Sequence, residues 1–127
     1  MTDKKLIEEA YSVLPRAYAP YSKYRVATAL RAGDGRVYTG VNVENLSYGL
    51  TLCAERAAVA AAVTAGQRSF TALAVVSEKK PEPMPCGACR QVLSEFAPQC
   101  RILVSCAGGE FKEYQLEELF PFPFQSE

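Results

Sequence analysis

Three cysteines, one glutamate and one arginine carry the chemistry this sequence can offer. Cys86 and Cys89 sit three residues apart in "PCGACRQVL", residues 85–93. On a helix, positions i and i+3 share a face, so both sulfurs can reach one point. Cys53 opens "CAER", residues 53–56, at the head of an alanine-rich stretch. Cys53 and Cys86 both fall at expected helix N-termini, where the positive dipole end favours thiolate. Two such termini pointing at each other, with three thiolates between them, make a metal cage. Three protein ligands with an open fourth position is the catalytic zinc pattern, whereas four closed ligands mark a structural zinc. No fourth ligand is evident. A CxxC by itself fits a redox dithiol or half a zinc ribbon as well as a catalytic metal. A ribbon needs a second CxxC, which the chain lacks, and a thioredoxin-type dithiol leaves "CAE" without a role.

Glu55 lies two residues past Cys53, near the metal without ligating it. Zinc lowers the pKa of bound water towards neutrality. A carboxylate beside that water can take its proton and deliver it to a substrate. Such a pair is what hydrolytic deamination of an amidine-like ring carbon requires. The plainer account of Glu55 is a first-turn acid favoured by the helix dipole. Arg56 has a related task. Three thiolates on Zn²⁺ leave a net negative site, which makes bound water less acidic. A guanidinium hydrogen-bonded to the sulfurs withdraws charge and restores that acidity. Its plainer account is a surface arginine with its stem along a helix. Cys100 and Cys106 are flanked by apolar residues and read as small core hydrophobes.

The rest of the composition narrows the field. There is no histidine among the 127 residues, so any acid or base near neutral pH is a tuned Glu, Asp, Lys, Cys or Tyr, or a metal-bound water. Lys+Arg and Asp+Glu both number 14, which leaves no electrostatic footprint for a nucleic-acid polymer or an anionic membrane. No run approaches the roughly 18 apolar residues of a membrane span. The start "MTDKKLIEEA" is charged and lacks an apolar h-region, so a cytoplasmic location is expected. An odd cysteine count of 5 speaks against a secreted disulfide framework.

The elements that must position these residues follow from pattern. Residues 3–14 carry an apolar stripe of Leu6, Ile7, Ala10, Val13 and Leu14, ended by Pro15. Strands are expected at 24–30 and 37–43, joined by a Gly-Asp-Gly turn. A polar loop then leads to Thr51 as helix N-cap. The alanine-rich helix covers 52–65 and stops at Gly66. A buried strand at 70–77, a proline-rich loop at 78–85 and a helix at 86–96 follow. Strands at 100–106 and 110–114 and a short helix at 115–120 close the chain. Strands separated by helices imply one mixed sheet with helices on both faces, in a single domain over 1–127.

"CAER", "PCGACRQVL", "YAPYSKY" and "GVNVEN" together resemble the zinc-dependent cytidine deaminases of the short, homotetrameric, three-cysteine type. The likeness runs from about residue 6 to 121 with the motifs in order. It implies a three-layer α/β/α fold with a five-stranded mixed sheet. It implies hydrolysis of cytidine and 2′-deoxycytidine to uridine and 2′-deoxyuridine with release of ammonia, in pyrimidine salvage. It makes Cys53, Cys86 and Cys89 the ligands of one Zn²⁺ per subunit and Glu55 the proton shuttle at N3 and the leaving amine. Asn42 and Glu44 match positions that hydrogen-bond the ribose 3′-hydroxyl, although an amide and a carboxylate there could equally cap a strand end. Asn45 and Tyr48 share that loop, which helps a neighbouring subunit's site. The backbone at Ala54 and Cys86 orients the base. Tyr24 takes the place beside the nucleoside, and Phe124 (or Phe122) is the candidate to stack on the base.

The chain departs from the family pattern at Tyr24, where Phe is usual, and at "VATAL", where V-G-A-A-L is usual. Leu46 replaces a common Ala, and the tail "LFPFPF" is short and aromatic. These differences bear on substrate range more than on the reaction. The rival small-molecule reading is a deaminase of the blasticidin S type, whose members generally lack the "EN" after "NV". The rival from another class is a structural-zinc interaction module, in which Glu55 has no role.

Overall fold

The computed structural model describes residues 1–125. Helix α1 (Asp3–Val13) begins at Thr2, whose hydroxyl accepts from the Lys5 amide at 3.1 Å. It ends in a 3-10 turn over Leu14–Arg16, where Pro15 cannot continue the helix. Strands β1 (Val26–Ala32), β2 (Val37–Val41), β3 (Phe70–Ser77), β4 (Arg101–Cys106) and β5 (Lys112–Gln115) form one five-stranded sheet in the order β2-β1-β3-β4-β5. The pairing of β3 with β4 is parallel and every other pairing is antiparallel, so the sheet is mixed as expected.

Helices α2 (Ala54–Thr64), α3 (Gly87–Phe96) and α4 (Leu116–Leu119) complete the three layers. Alternation along the strands sends successive side chains to opposite faces. Ala27, Ala29, Ala72, Ala74, Val76 and Leu103 meet Leu6, Ile7 and Ala10 of α1. Leu30, Leu73, Val75, Ile102 and Val104 meet Ala58 and Val59 of α2, Leu93 of α3 and Leu116 of α4. Gly40 of β2 sits directly under α2, since a Cβ there would lie 2.5 Å from both the Ala54 carbonyl oxygen and the Ala58 amide. The helix carrying the chemistry therefore rests on the sheet backbone at its first turn.

Element ends differ from the sequence expectation for identifiable reasons. Strand β1 starts at Val26 rather than 24. The Asn42 side chain takes the place of a ladder partner there: its Oδ1 accepts from Val26 N and its Nδ2 donates to Tyr24 O, each at 2.9 Å. Strand β2 stops at Val41, because the Asn42 carbonyl turns to accept from Tyr18 N at 3.0 Å. Thr51 is not the N-cap of α2; Cys53 is, and the Thr51 hydroxyl instead accepts from Asn45 N at 3.3 Å. Cys86 likewise caps α3 rather than lying inside it. Strand β5 and helix α4 shift by one or two residues, with Gln115 and Glu118 forming a reciprocal capping box. Cys100 is buried, as a small hydrophobe should be, but Cys106 at the strand end is half-exposed.

Candidate metal centre and adjoining hollows

The two capping cysteines explain how the thiols meet. Cys53 (φ −74°, ψ 149°) and Cys86 (φ −68°, ψ 171°) are extended, and neither sulfur makes the usual bond back to its own helix. Both sulfurs are thus free to turn towards each other, at 3.8 Å, and Cys86 Sγ lies 3.4 Å from Cys89 Sγ. All three lie within 4.8 Å of one another. With Zn–S near 2.3 Å, a tetrahedral ion needs sulfurs about 3.8 Å apart, so the triad fits zinc. Among the described residues this is the one cluster of three or more metal-ligating side chains.

The electrostatics favour thiolate at Cys53. Its thiol is held well below the ordinary value, first by the hydrogen bond from Cys89, then by Arg56 against the cost of burial. The Arg56 Nη2 donates to Cys53 Sγ at 3.4 Å, and the thiolate in turn holds the guanidinium firmly charged. Glu55 is 4% exposed, and burial lifts its carboxyl to about 7. A carboxyl poised there can exchange a proton in either direction at neutral pH.

Glu55 opens into a hollow of about 150 Å³ lined also by Tyr24, Val26, Asn42, Thr51, Cys53, Ala54, Pro83, Met84 and Cys86. A second hollow of about 300 Å³ is lined by Tyr21, Ser22, Glu44, Tyr48 and Thr51. Thr51 lines both, so the two adjoin. The structure therefore brings Cys53, Cys86, Ala54, Glu55, Asn42 and Tyr24 around one hollow, with Cys89 buried behind. Glu44 and Tyr48 lie in the neighbouring one.

Several of these residues have local work as well. Glu44 accepts from the amides of Tyr21 and Ser22, each at 3.0 Å, and from the Ser22 hydroxyl. Asn42 is committed to Tyr24 and Val26 but keeps one N–H and one lone pair. Asn45 closes an Asx turn by accepting from Ser47 N at 2.9 Å, and it is exposed. Tyr48 is 73% exposed with its ring edge against Tyr21. Phe124 is not in either hollow of its own chain. Its carbonyl accepts from Gln91 Nε2 at 2.9 Å on the outer side of α3, and its ring is 87% exposed.

Other contributors go beyond what the sequence suggests, among them Val26 and Thr51 in the smaller hollow and Tyr21 and Ser22 in the larger. Pro83 and Met84 form a wall of the smaller hollow, which only their nearness to Cys86 in the chain could have suggested. Arg90 binds the carbonyl that precedes Cys86: its Nε donates to Pro85 O at 2.8 Å, while its Nη1 donates to Leu119 O at 2.9 Å. Its signal was position, one helical turn past a ligand.

Residues 1–105 match the family model described as the cytidine and deoxycytidylate deaminase zinc-binding region. The chain is 43% identical over 128 residues to the cytidine deaminase of Halalkalibacterium halodurans, covering 100% of this chain and 97% of the relative. It is 44% identical over 128 residues to the cytidine deaminase of Sporosarcina psychrophila, covering 100% and 94%. The crystal structure of cytidine deaminase from Burkholderia pseudomallei superposes with a TM-score of 0.92 at 44% identity, covering 98% of this chain and 100% of that one. Three thiols at zinc spacing, a buried glutamate beside them and likeness along the whole chain agree. This chain belongs to the cytidine deaminases, in their short form with a three-cysteine zinc site.

Proposed function

We propose that this protein hydrolyses cytidine and 2′-deoxycytidine to the corresponding uridines and ammonia, serving pyrimidine salvage in the cytoplasm as a single deaminase domain. The observation that carries the reading is Glu55, buried and lifted to about 7, beside three thiols at zinc spacing in a hollow sized for one ring. Cys53, Cys86 and Cys89 would hold a zinc ion, which when bound would supply an acidified water as nucleophile. The chain's own residues do the rest. Glu55 would take one proton of that water and pass it to N3 as oxygen bonds to C4, then take the second proton from the added hydroxyl and pass it to the amine as the C4–N bond breaks. Arg56 draws charge from the Cys53 sulfur, which keeps the site from becoming too electron-rich to acidify water. Ala54, at the first turn of α2, presents backbone to the base. Asn42 offers its remaining donor and acceptor to the sugar, and Glu44 offers its remaining lone pairs from the adjoining hollow.

A homotetramer is part of the proposal. Leu46, Tyr48 and Leu50 are 76%, 73% and 70% exposed in one loop, and Phe122 is 93% exposed in the tail. Apolar side chains in such runs call for a cover. Asn45 and Phe124, which line neither hollow, would then serve a neighbouring subunit's site, and Tyr48 would stand where the loop meets it. The experiment is the ultraviolet absorbance change of cytidine with the wild type and with Glu55→Gln. Conversion by the wild type alone supports reaction and shuttle together. A folded, zinc-loaded and active Glu55→Gln variant contradicts the shuttle. Conversion of blasticidin S in place of cytidine favours the rival substrate.

A further inference from the structure

We propose that the Tyr24 hydroxyl sets the width of the ring-sized hollow, making Tyr24 a specificity-determining residue against pyrimidines that carry a ring substituent; the inference rests on the deaminase reading above. Two walls of the hollow come from separate parts of the chain. Tyr24, on the approach to β1, and Val26, its first residue, form one. Pro83 and Met84, in the loop over residues 78–85, form another. Tyr24 lines the hollow, and its hydroxyl donates to the carbonyl of Pro81, two residues before Pro83. One side chain therefore ties the walls together.

Both ends of the tie are themselves fixed. The Tyr24 carbonyl accepts from Asn42 Nδ2 at 2.9 Å, and its amide donates to Ser22 Oγ at 3.0 Å. In the loop, Lys79 O accepts from Ser77 Oγ at 2.8 Å, and Glu82 accepts from Lys112 Nζ at 3.1 Å. Pro81 lies between those anchors. Among the described residues, the Tyr24 bond is the one side-chain tie to this loop made by a residue that also lines the hollow. A wall held on both sides of its midpoint and at the midpoint itself yields little. A ring methyl directed at this side of the hollow has to displace Tyr24, Pro83 or Met84 within about 150 Å³. Removing the hydroxyl leaves the aromatic surface in place and releases the loop.

The test compares kcat/KM for cytidine and for 5-methylcytidine in the zinc-loaded wild type, Tyr24→Phe and Lys112→Met. The lysine variant cuts a loop tie outside the hollow. Amide hydrogen exchange over residues 78–85 is followed in all three. The expected result is a fall in the cytidine to 5-methylcytidine ratio on the order of tenfold in Tyr24→Phe alone. Faster exchange in the loop accompanies it. An unchanged ratio in an active Tyr24→Phe overturns the inference. So does an equal fall in Lys112→Met, which makes loop mobility in general the determinant. A wild type that converts neither nucleoside overturns the cytidine reading on which the inference rests, and is told apart by the wild-type rates.

Discussion

The two faces of the sheet are packed by opposite means. On the α1 face, alanines of β1 and β3 receive Leu6, Ile7 and Ala10, and the buried Ser105 hydroxyl has a partner in Tyr11 at 2.7 Å. On the α2 face, Glu55 is buried as a titratable group, and Thr28 Oγ1 and Arg56 Nε have no partner among the described residues. Both faces bury comparable hydrophobes, yet among the described residues the two buried side-chain atoms without a partner both lie on the α2 side. The difference teaches where the fold spends stability. One face serves cohesion, and the other carries the unfavourable burial that the proposed chemistry would use.

The widest separation between the faces comes from a pair of substitutions. Glu55→Gln should lower kcat on the order of 10⁴-fold with zinc content retained. Leu6→Ala should leave zinc content and kcat in place while costing about 3 kcal/mol in urea unfolding. A Leu6 variant that loses zinc would break the division of labour. The next effect depends on pH. Glu55 ionises near 4.5 in the unfolded chain and near 7 in the folded one, so the folded state binds the extra proton between those values. Measured against zinc-free Glu55→Gln, which keeps the opposing contribution of the depressed Cys53 thiol, the zinc-free wild type should therefore lose about 3 kcal/mol of stability as pH rises from 4.5 to 7 and level off above. Parallel urea titrations of the two proteins measure that difference.

Gly40→Ala tests how tightly α2 is seated. A methyl 2.5 Å from Ala54 O must push the helix start outward. We expect a loss of about 2 kcal/mol and a lower kcat, because Cys53 and Glu55 move with that turn. Full activity would show that the first turn of α2 has slack. The smallest change sharpens the comparison from the other side. Thr28→Val removes a buried hydroxyl that lacks a partner and should add about 1 kcal/mol of stability. A destabilised Thr28→Val would show that the hydroxyl has found a partner after all.

Much of the site is legible in the sequence because metal ligation restricts residue type and spacing so strongly. Cys86 and Cys89 at i and i+3, with Cys53 and Glu55 upstream, leave few other chemistries. The layered fold follows from strand and helix alternation in the same way. What stays hidden is set by single side chains acting on backbone. The ends of β1 and β2 depend on the Asn42 amide replacing a strand partner, which no propensity reveals. The cap of α2 is Cys53 rather than Thr51, since a thiol directed at other thiols can occupy an extended cap position without capping. Arg90 and the Pro83–Met84 wall depend on tertiary contact alone. Tyr48 and Phe124 carry no sign of which chain they would serve.

Arg90 spans from the carbonyl before Cys86 to the carbonyl of Leu119 at the end of α4. For anyone building fusions or immobilised forms of this protein, that makes the two termini unequal. Cargo attached beyond the tail loads the same guanidinium that steadies a metal ligand. Cargo attached ahead of Thr2 loads α1, which packs on the opposite face of the sheet.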